Sequence, residues 1–253
     1  MPPKNKRKTT SEPKHPLEWL KRIYNVHTLE PLQSSSDGWQ YGCFIDIGSR
    51  NMSLRFSRAH SPSRVIEGLS QDRFDFELAK GTKASKAILA AKSQIGIRDD
   101  MLSQMVLQFN RIRPQLGQCQ YIVIEKQIKG ATWNLEVMNK LIGILSVLMV
   151  DYGNRPLIIE IDPSQKSVPL GGPRSMQISK ALKDWCYQMS LVILERNGGH
   201  FDLQLLQEMK SLTKYGRNKR DDPADTICYC YVWWEQYIFS GLVNRETLAI
   251  PLP

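Results

Sequence analysis

The sequence predicts an α/β chain organised on a mixed sheet, antiparallel in its first half and parallel in its second. Two observations carry this. Three short apolar or alternating runs (42–47, 52–56 and 65–69) follow one another with no helical stretch between them, the pattern of an antiparallel meander. After them, helical periods alternate with two compact apolar strands at 121–125 and 157–161, the pattern of parallel strands joined by helices.

Taken in order, residues 1–38 read as a basic extension, disordered at its start, where Lys and Pro abound without an apolar period. Leu17, Leu20 and Tyr24 stand at i, i+3 and i+7 and predict a short helix over 16–24, before a Ser-rich linker at 34–38. The compact domain is expected over 39–241. Met101, Met105 and Phe109 predict a helix over 99–113 that stops before Pro114. The run Tyr121-Ile122-Val123-Ile124-Glu125 predicts a buried strand.

A long helix follows over 134–152, with Leu135, Met138, Leu141, Ile142, Leu145 and Met149 on one side. Val137, Ile144 and Val147 widen that stripe, which fits either deep burial or a dimer interface. Helices are expected again at 177–188 and 201–212. The last runs from Asp222 to about Phe239, with Gly241 placed for a left-handed cap. Residues 242–253 read as an extended tail.

The 253 residues are enough for one substantial domain. With 42% hydrophobic and 23% charged side chains, the composition is that of a globular protein, and no apolar run is long enough for a membrane span. The net charge of +9 suits a polyanionic partner such as nucleic acid. Five cysteines without a CxxC pair argue against a zinc site or a disulfide framework and predict a reducing, intracellular compartment. The polar N-terminus carries no secretory signal, and Lys4 to Lys8 (KNKRK) reads as a solvated tail, a nuclear-import signal or a DNA-touching arm.

The chemistry concentrates where apolar elements give way to polar ones. Asp46 closes the first strand, Glu125 closes the central one, and Asp222 and Asp225 open the last helix. Each has a bland reading. Asp46 ahead of Gly48 fits an ordinary turn, Glu125 a solvated strand end, and the Asp-Pro-Ala-Asp group a capped helix start. Together they predict converging carboxylates, which Mg²⁺ takes as ligands and which phosphodiester hydrolysis with paired metal ions employs. Spacing of i, i+3 puts Asp222 and Asp225 on one helix face.

Three segments, in this order, resemble the poxvirus-type Holliday junction resolvases, relatives of the bacterial RuvC enzymes. They are Phe44-Ile45-Asp46-Ile47-Gly48-Ser49-Arg50-Asn51, Ile124-Glu125-Lys126-Gln127 and Lys219-Arg220-Asp221-Asp222-Pro223-Ala224-Asp225. Asp162-Pro163-Ser164-Gln165-Lys166 is similar to the family's segment after the fifth strand. The resemblance implies a ribonuclease H-like fold, a mixed five-stranded sheet flanked by helices. It also implies Mg²⁺ or Mn²⁺ as cofactor, one or two ions per site, held by Asp46, Glu125, Asp222 and Asp225. It further implies a homodimer that makes paired nicks in a DNA four-way junction, at a viral replication site or in a nucleus. Lys126 stands where Arg is common in the viral relatives, and the family explains neither the N-terminal extension nor the tail.

DNA contacts are expected from Lys126, Lys129 and Lys166 in loops near the acids, and from Lys214, Arg217, Lys219 and Arg220 ahead of the last helix. Two rival readings remain open. One is another ribonuclease H-like nuclease, acting on RNA–DNA hybrids or as a transposase-like strand cutter. The other is an actin-like nucleotide-binding module, which shares the Ile-Asp-Ile-Gly string but needs a further Gly-rich phosphate turn.

Overall fold

A computed structural model describes residues 20–24, 37–48, 51–76, 99–127, 132–150, 156–173, 180–212 and 221–242. The strands are β1 (Leu20–Tyr24), β2 (Trp39–Ile47), β3 (Asn51–His60), β4 (Val65–Asp75), β5 (Tyr121–Glu125) and β6 (Leu157–Ile161). The longer helices are α1 (Asp99–Arg111), α2 (Thr132–Leu148), α3 (Lys180–Asn197), α4 (His200–Ser211) and α5 (Asp221–Val232); a short helix, Arg113–Leu116, follows α1 with Pro114 in its first turn, where the sequence predicts a stop.

Among the described residues the strands form one sheet in the order β1-β6-β5-β2-β3-β4. β2, β3 and β4 are the expected antiparallel meander, and β5 and β6 run parallel to β2. An antiparallel triplet continued by parallel strands, with helices on both faces, is the ribonuclease H-like arrangement.

β1 adds a sixth strand to the expected five. The apolar spacing at 16–24 predicts a helix, yet Leu20–Tyr24 pairs antiparallel with β6. The physical reason is tertiary. β6 is buried along its whole length and offers a free row of backbone groups at the sheet margin, so pairing outweighs a weak local period.

The pleat sorts the core into two layers. Cys43, Ile45 and Ile47 of β2, with Ile122 and Ile124 of β5, pack under α1 and α2. Phe44 of β2, Val123 of β5 and Ile159 of β6 face the other way, under α3, α4 and α5. In α2 the face that carries Val137, Met138, Leu141 and Leu145 is buried, whereas Val147 is 71% exposed. Burial therefore accounts for the width of the stripe at Val137 and not at Val147.

β2, β3 and β4 are longer than their apolar runs predict. β3 carries Ser53, Arg55 and Ser57 inward and still pairs throughout, because Arg55 meets the Asp202 carboxylate of α4 as a buried ion pair. Gly68 of β4 accepts that pair at close range. A Cβ there would collide with the Asp202 carboxylate and the Arg55 guanidinium, and its backbone N–H donates to Asp202 Oδ2 at 3.1 Å.

α5 continues past Val232 as a π-helical stretch, Trp233–Ile238, and Gly241 lies beyond in the left-handed region at φ 73°. All five cysteines are buried and free. Among the described residues, no helix is long and apolar enough to cross a membrane.

Candidate metal centre

The site is a product of register and pleat. β2 and β5 are parallel neighbours with Ile45 opposite Ile124, so Asp46 and Glu125 follow side by side. Ile45 and Ile124 belong to the layer under α1 and α2, which turns the next residue of each strand toward the α5 side. There the first turns of α5 bring Asp225. One carboxylate oxygen from each of Asp46, Glu125 and Asp225 lies within 4.8 Å of the others.

A fourth charged group enters from below. After β6, Asp162 accepts the backbone N–H of Ser164 at 3.0 Å and opens a 3₁₀ turn, Pro163–Lys166. The turn delivers Lys166 into the acids. Its Nζ lies 2.5 Å from Asp225 Oδ2 and 3.5 Å from Glu125 Oε1, with 9% of the residue exposed.

Placing three carboxylates together in a buried pocket has an electrostatic cost that appears in their proton affinities. Burial, with Glu125 beside it, holds the Asp46 carboxyl well above the ordinary carboxylate range. Burial likewise raises Asp225 against the opposing pull of Lys166. Burial would raise Glu125 too, but Lys166 and hydrogen bonds from Asp46, Tyr229 and Lys166 hold it below its usual value. For Lys166, burial works to lower the pKa; Asp225, Glu125 and Asp46 together raise it well above normal. Of the two neighbouring carboxyls, Asp46 is the one whose affinity for a proton is raised.

Asp222 stands apart from the group of three. Its Oδ2 accepts from Asn51 Nδ2 and lies 3.3 Å from Arg73 Nη1 of β4, whose Nε in turn pairs with Asp75 at 2.9 Å. Asp221, the other half of the doublet, pairs with Lys183 of α3 at 3.0 Å. The loop beside Glu125 is held by Gln127, whose Nε2 donates to the Glu125 carbonyl at 3.1 Å. Gln127 in turn accepts from Asn134 of α2 at 3.2 Å.

The structure therefore brings Asp46, Glu125 and Asp225 together and leaves Asp222 at the border. Lys126 is half-buried at the end of β5, with its backbone N–H donating to the Ile161 carbonyl at 2.8 Å. Lys129, Lys214, Arg217, Lys219 and Arg220 lie outside the described residues. Sequence reasoning placed Lys166 in a loop for DNA and missed its seat among the carboxylates. It also missed Arg73, Asn51 and Tyr229 as neighbours of the acids; Asn51 had a signal, since it stands within the first quoted motif.

The donor set suits a hard divalent cation. Three carboxylate oxygens converge, no sulfur or imidazole is among them, and an ammonium already sits in their midst.

No protein-family model matches the chain, and no curated protein matches its sequence. Among solved structures it is similar to the fowlpox virus Holliday junction resolvase at 14% identity and a TM-score of 0.49, over 79% of this chain and 100% of that one. It is also similar to Thermus thermophilus RuvC in complex with a Holliday junction substrate, at 10% identity and a TM-score of 0.40, over 78% and 96%. A partial likeness is to the Aquifex aeolicus PPX-GPPA enzyme, at 15% identity and a TM-score of 0.32, over 51% and 38%.

Proposed function

We propose that the chain is a divalent-metal-dependent DNA endonuclease that resolves four-way junctions as a homodimer. The observation that carries the nuclease reading is the convergence of Asp46, Glu125 and Asp225, from two adjacent strands and a helix, around a buried lysine. Three carboxylates against one ammonium mark a site with more negative charge than its own cation balances. Preference for a junction is supported by the resemblance of the three acidic segments to the poxvirus-type resolvases.

Asp46, Glu125 and Asp225 would hold Mg²⁺ or Mn²⁺, and Asp222 would join them on leaving Asn51 and Arg73. A bound divalent ion supplies Lewis acidity and a water of lowered pKa for attack on the phosphodiester. The rest falls to side chains. Asp46, whose carboxyl is held high, would ionise against the cation, and Lys166 would exchange its carboxylate partners for a backbone phosphate. Lys126, Lys129, Lys214, Arg217, Lys219 and Arg220 would position the DNA backbone without reading its sequence. The partner copy would meet the outer face of α2, where Val147 is 71% exposed.

The test is cleavage of a synthetic four-way junction with Mg²⁺ by wild type, Asp46→Asn and Asp222→Asn. Paired nicks from wild type and none from Asp46→Asn are expected. Equal cutting by all three proteins would refute the site. Equal cutting of linear duplex or of an RNA–DNA hybrid would refute the junction preference and leave the nuclease standing.

A further inference from the structure

The hairpin of β3 and β4 carries one cation to the rim of the acids. Asp46 lies opposite Ser53 of β3, and Ser53 lies opposite Arg73 of β4, so the three residues form one row across the sheet. Met52 and Phe74, next to them in sequence, belong to the layer under α1 and α2, which turns Ser53 and Arg73 to the α5 side with Asp46. Two strand spacings, roughly 10 Å, separate the backbone of Arg73 from that of Asp46. Gln71 ties the hairpin to α5: its Nε2 donates to Ser53 Oγ at 2.9 Å and to Thr226 Oγ1 at 3.1 Å, beside Asp225.

Two carboxylates hold Arg73, and they differ in what they can do. Asp75, two residues on along β4, takes Nε at 2.9 Å and is 60% exposed. Asp222, at the start of α5, lies 3.3 Å from Nη1 and also accepts from Asn51. Asp75 stands outside the group of acids, whereas Asp222 is the one that the proposed centre draws on. The Arg73 side chain is partly exposed, so a ligand in solution can reach it.

We propose that Arg73 is a DNA-binding residue held in reserve, paired with Asp222 while the metal centre is empty and gripping a backbone phosphate once Asp222 turns to the cation. This rests on the metal-nuclease reading above. An ion pair at a partly open surface is weak, so a divalent cation can take Asp222 from Arg73. The vacated Nη1 then needs an anion, and a guanidinium fork matches a phosphate as well as a carboxylate. Asp75 stays on Nε and keeps the side chain at the rim. The same arginine thus weakens metal capture by the free protein and strengthens the hold on DNA. Those effects have opposite signs, which a merely structural arginine would not produce.

Mn²⁺ binding to the full chain without DNA, followed by electron paramagnetic resonance, reads the first effect. Arg73→Gln should tighten it about two- to fivefold. Arg58→Gln removes the same charge from a comparable ion pair, with Glu67 at 2.7 Å, at the other end of the same two strands. It should change the affinity by less than about 1.5-fold, because the distance is screened. Binding of a four-way junction over a salt series reads the second effect. With Ca²⁺ present, Arg73→Gln should lower the slope of log affinity against log salt by about one. With EDTA it should leave the slope unchanged, because Asp222 still occupies the side chain. Thermal midpoints establish that each variant is folded, and Arg73→Met carries the same expectations if Arg73→Gln is not. Unchanged or weaker Mn²⁺ binding by the Arg73 variant overturns the proposal, as do equal tightening by Arg58→Gln, an unchanged slope in Ca²⁺, or the same loss of slope with EDTA. If wild type binds no Mn²⁺ or no junction, the reading above falls, and this proposal with it.

Discussion

Two clusters of buried charge lie in one molecule and differ in a single respect. At β3, one guanidinium meets one carboxylate: Arg55 and Asp202 are both almost fully buried and matched in charge. Gly68 makes room for them, and Asn197 Nδ2 adds a donor at 3.4 Å. At the ends of β2 and β5, three carboxylates face one ammonium. The first cluster is matched in charge, although Arg55 Nε and Nη1 are buried without a hydrogen-bond partner. The second is left short of positive charge, and the carboxyls of Asp46 and Asp225 are raised accordingly. One cluster is a matched pair, and the other holds three carboxylates for one ammonium.

The difference is sharpest when each cluster is broken. Asp202→Asn leaves the Arg55 charge buried without its counter-charge and should cost about 3–5 kcal/mol in urea unfolding, with Mn²⁺ affinity per folded molecule unchanged. Gly68→Ala forces a methyl group into the same pair and should cost about 1–3 kcal/mol by the same measurement. A loss under about 0.5 kcal/mol for either would show that the pair contributes little.

Breaking the acidic cluster should act in the opposite direction. Asp46 has a folded pKa above its unfolded value, so its contribution to stability is present at low pH and is lost as pH rises through the folded value. Asp46→Asn should therefore flatten the fall in metal-free stability with rising pH. At the alkaline end it should exceed wild type by about 0.5–2 kcal/mol while losing cleavage. Thermal melts across pH, with EDTA present, decide this.

The smallest expected effect is one of protons. Burial and neighbouring acids raise the carboxyls of Asp46 and Asp225, so Mn²⁺ affinity should rise with pH over and above the ordinary carboxylate range. Calorimetric titration in two buffers of different ionisation enthalpy should register proton release. Equal heats in both buffers would mean that the acids are already ionised.

Much of this was legible in the chain. The limits of β5 and β6 follow from compact apolar runs that leave no alternative. The approach of Asp46 to Glu125 follows from each acid ending a strand, once those strands are parallel neighbours. The partners of Asp222 were not legible. Spacing of i, i+3 placed it on the face of Asp225, but Arg73 and Asn51 come from distant strands and claim its carboxylate. Lys166 was read as a loop cation because nothing local distinguishes a solvated lysine from one folded inward by a 3₁₀ turn. The length of β3 was hidden beyond Phe56, where Ser57 and Arg58 follow one another and the alternation that signals a strand lapses.

β1 has a consequence for how the chain is made. It is among the first described segments to leave the ribosome, yet Tyr24 pairs with Ile158, more than 130 residues later. At synthesis rates of about 5–20 residues per second, β1 waits roughly 7–27 s for its partner. During that interval the N-terminal segment has no sheet to join, and the margin it will cover does not yet exist. At this edge the sheet is thus closed by the first described strand joining the last described one, a docking step that comes late in biogenesis.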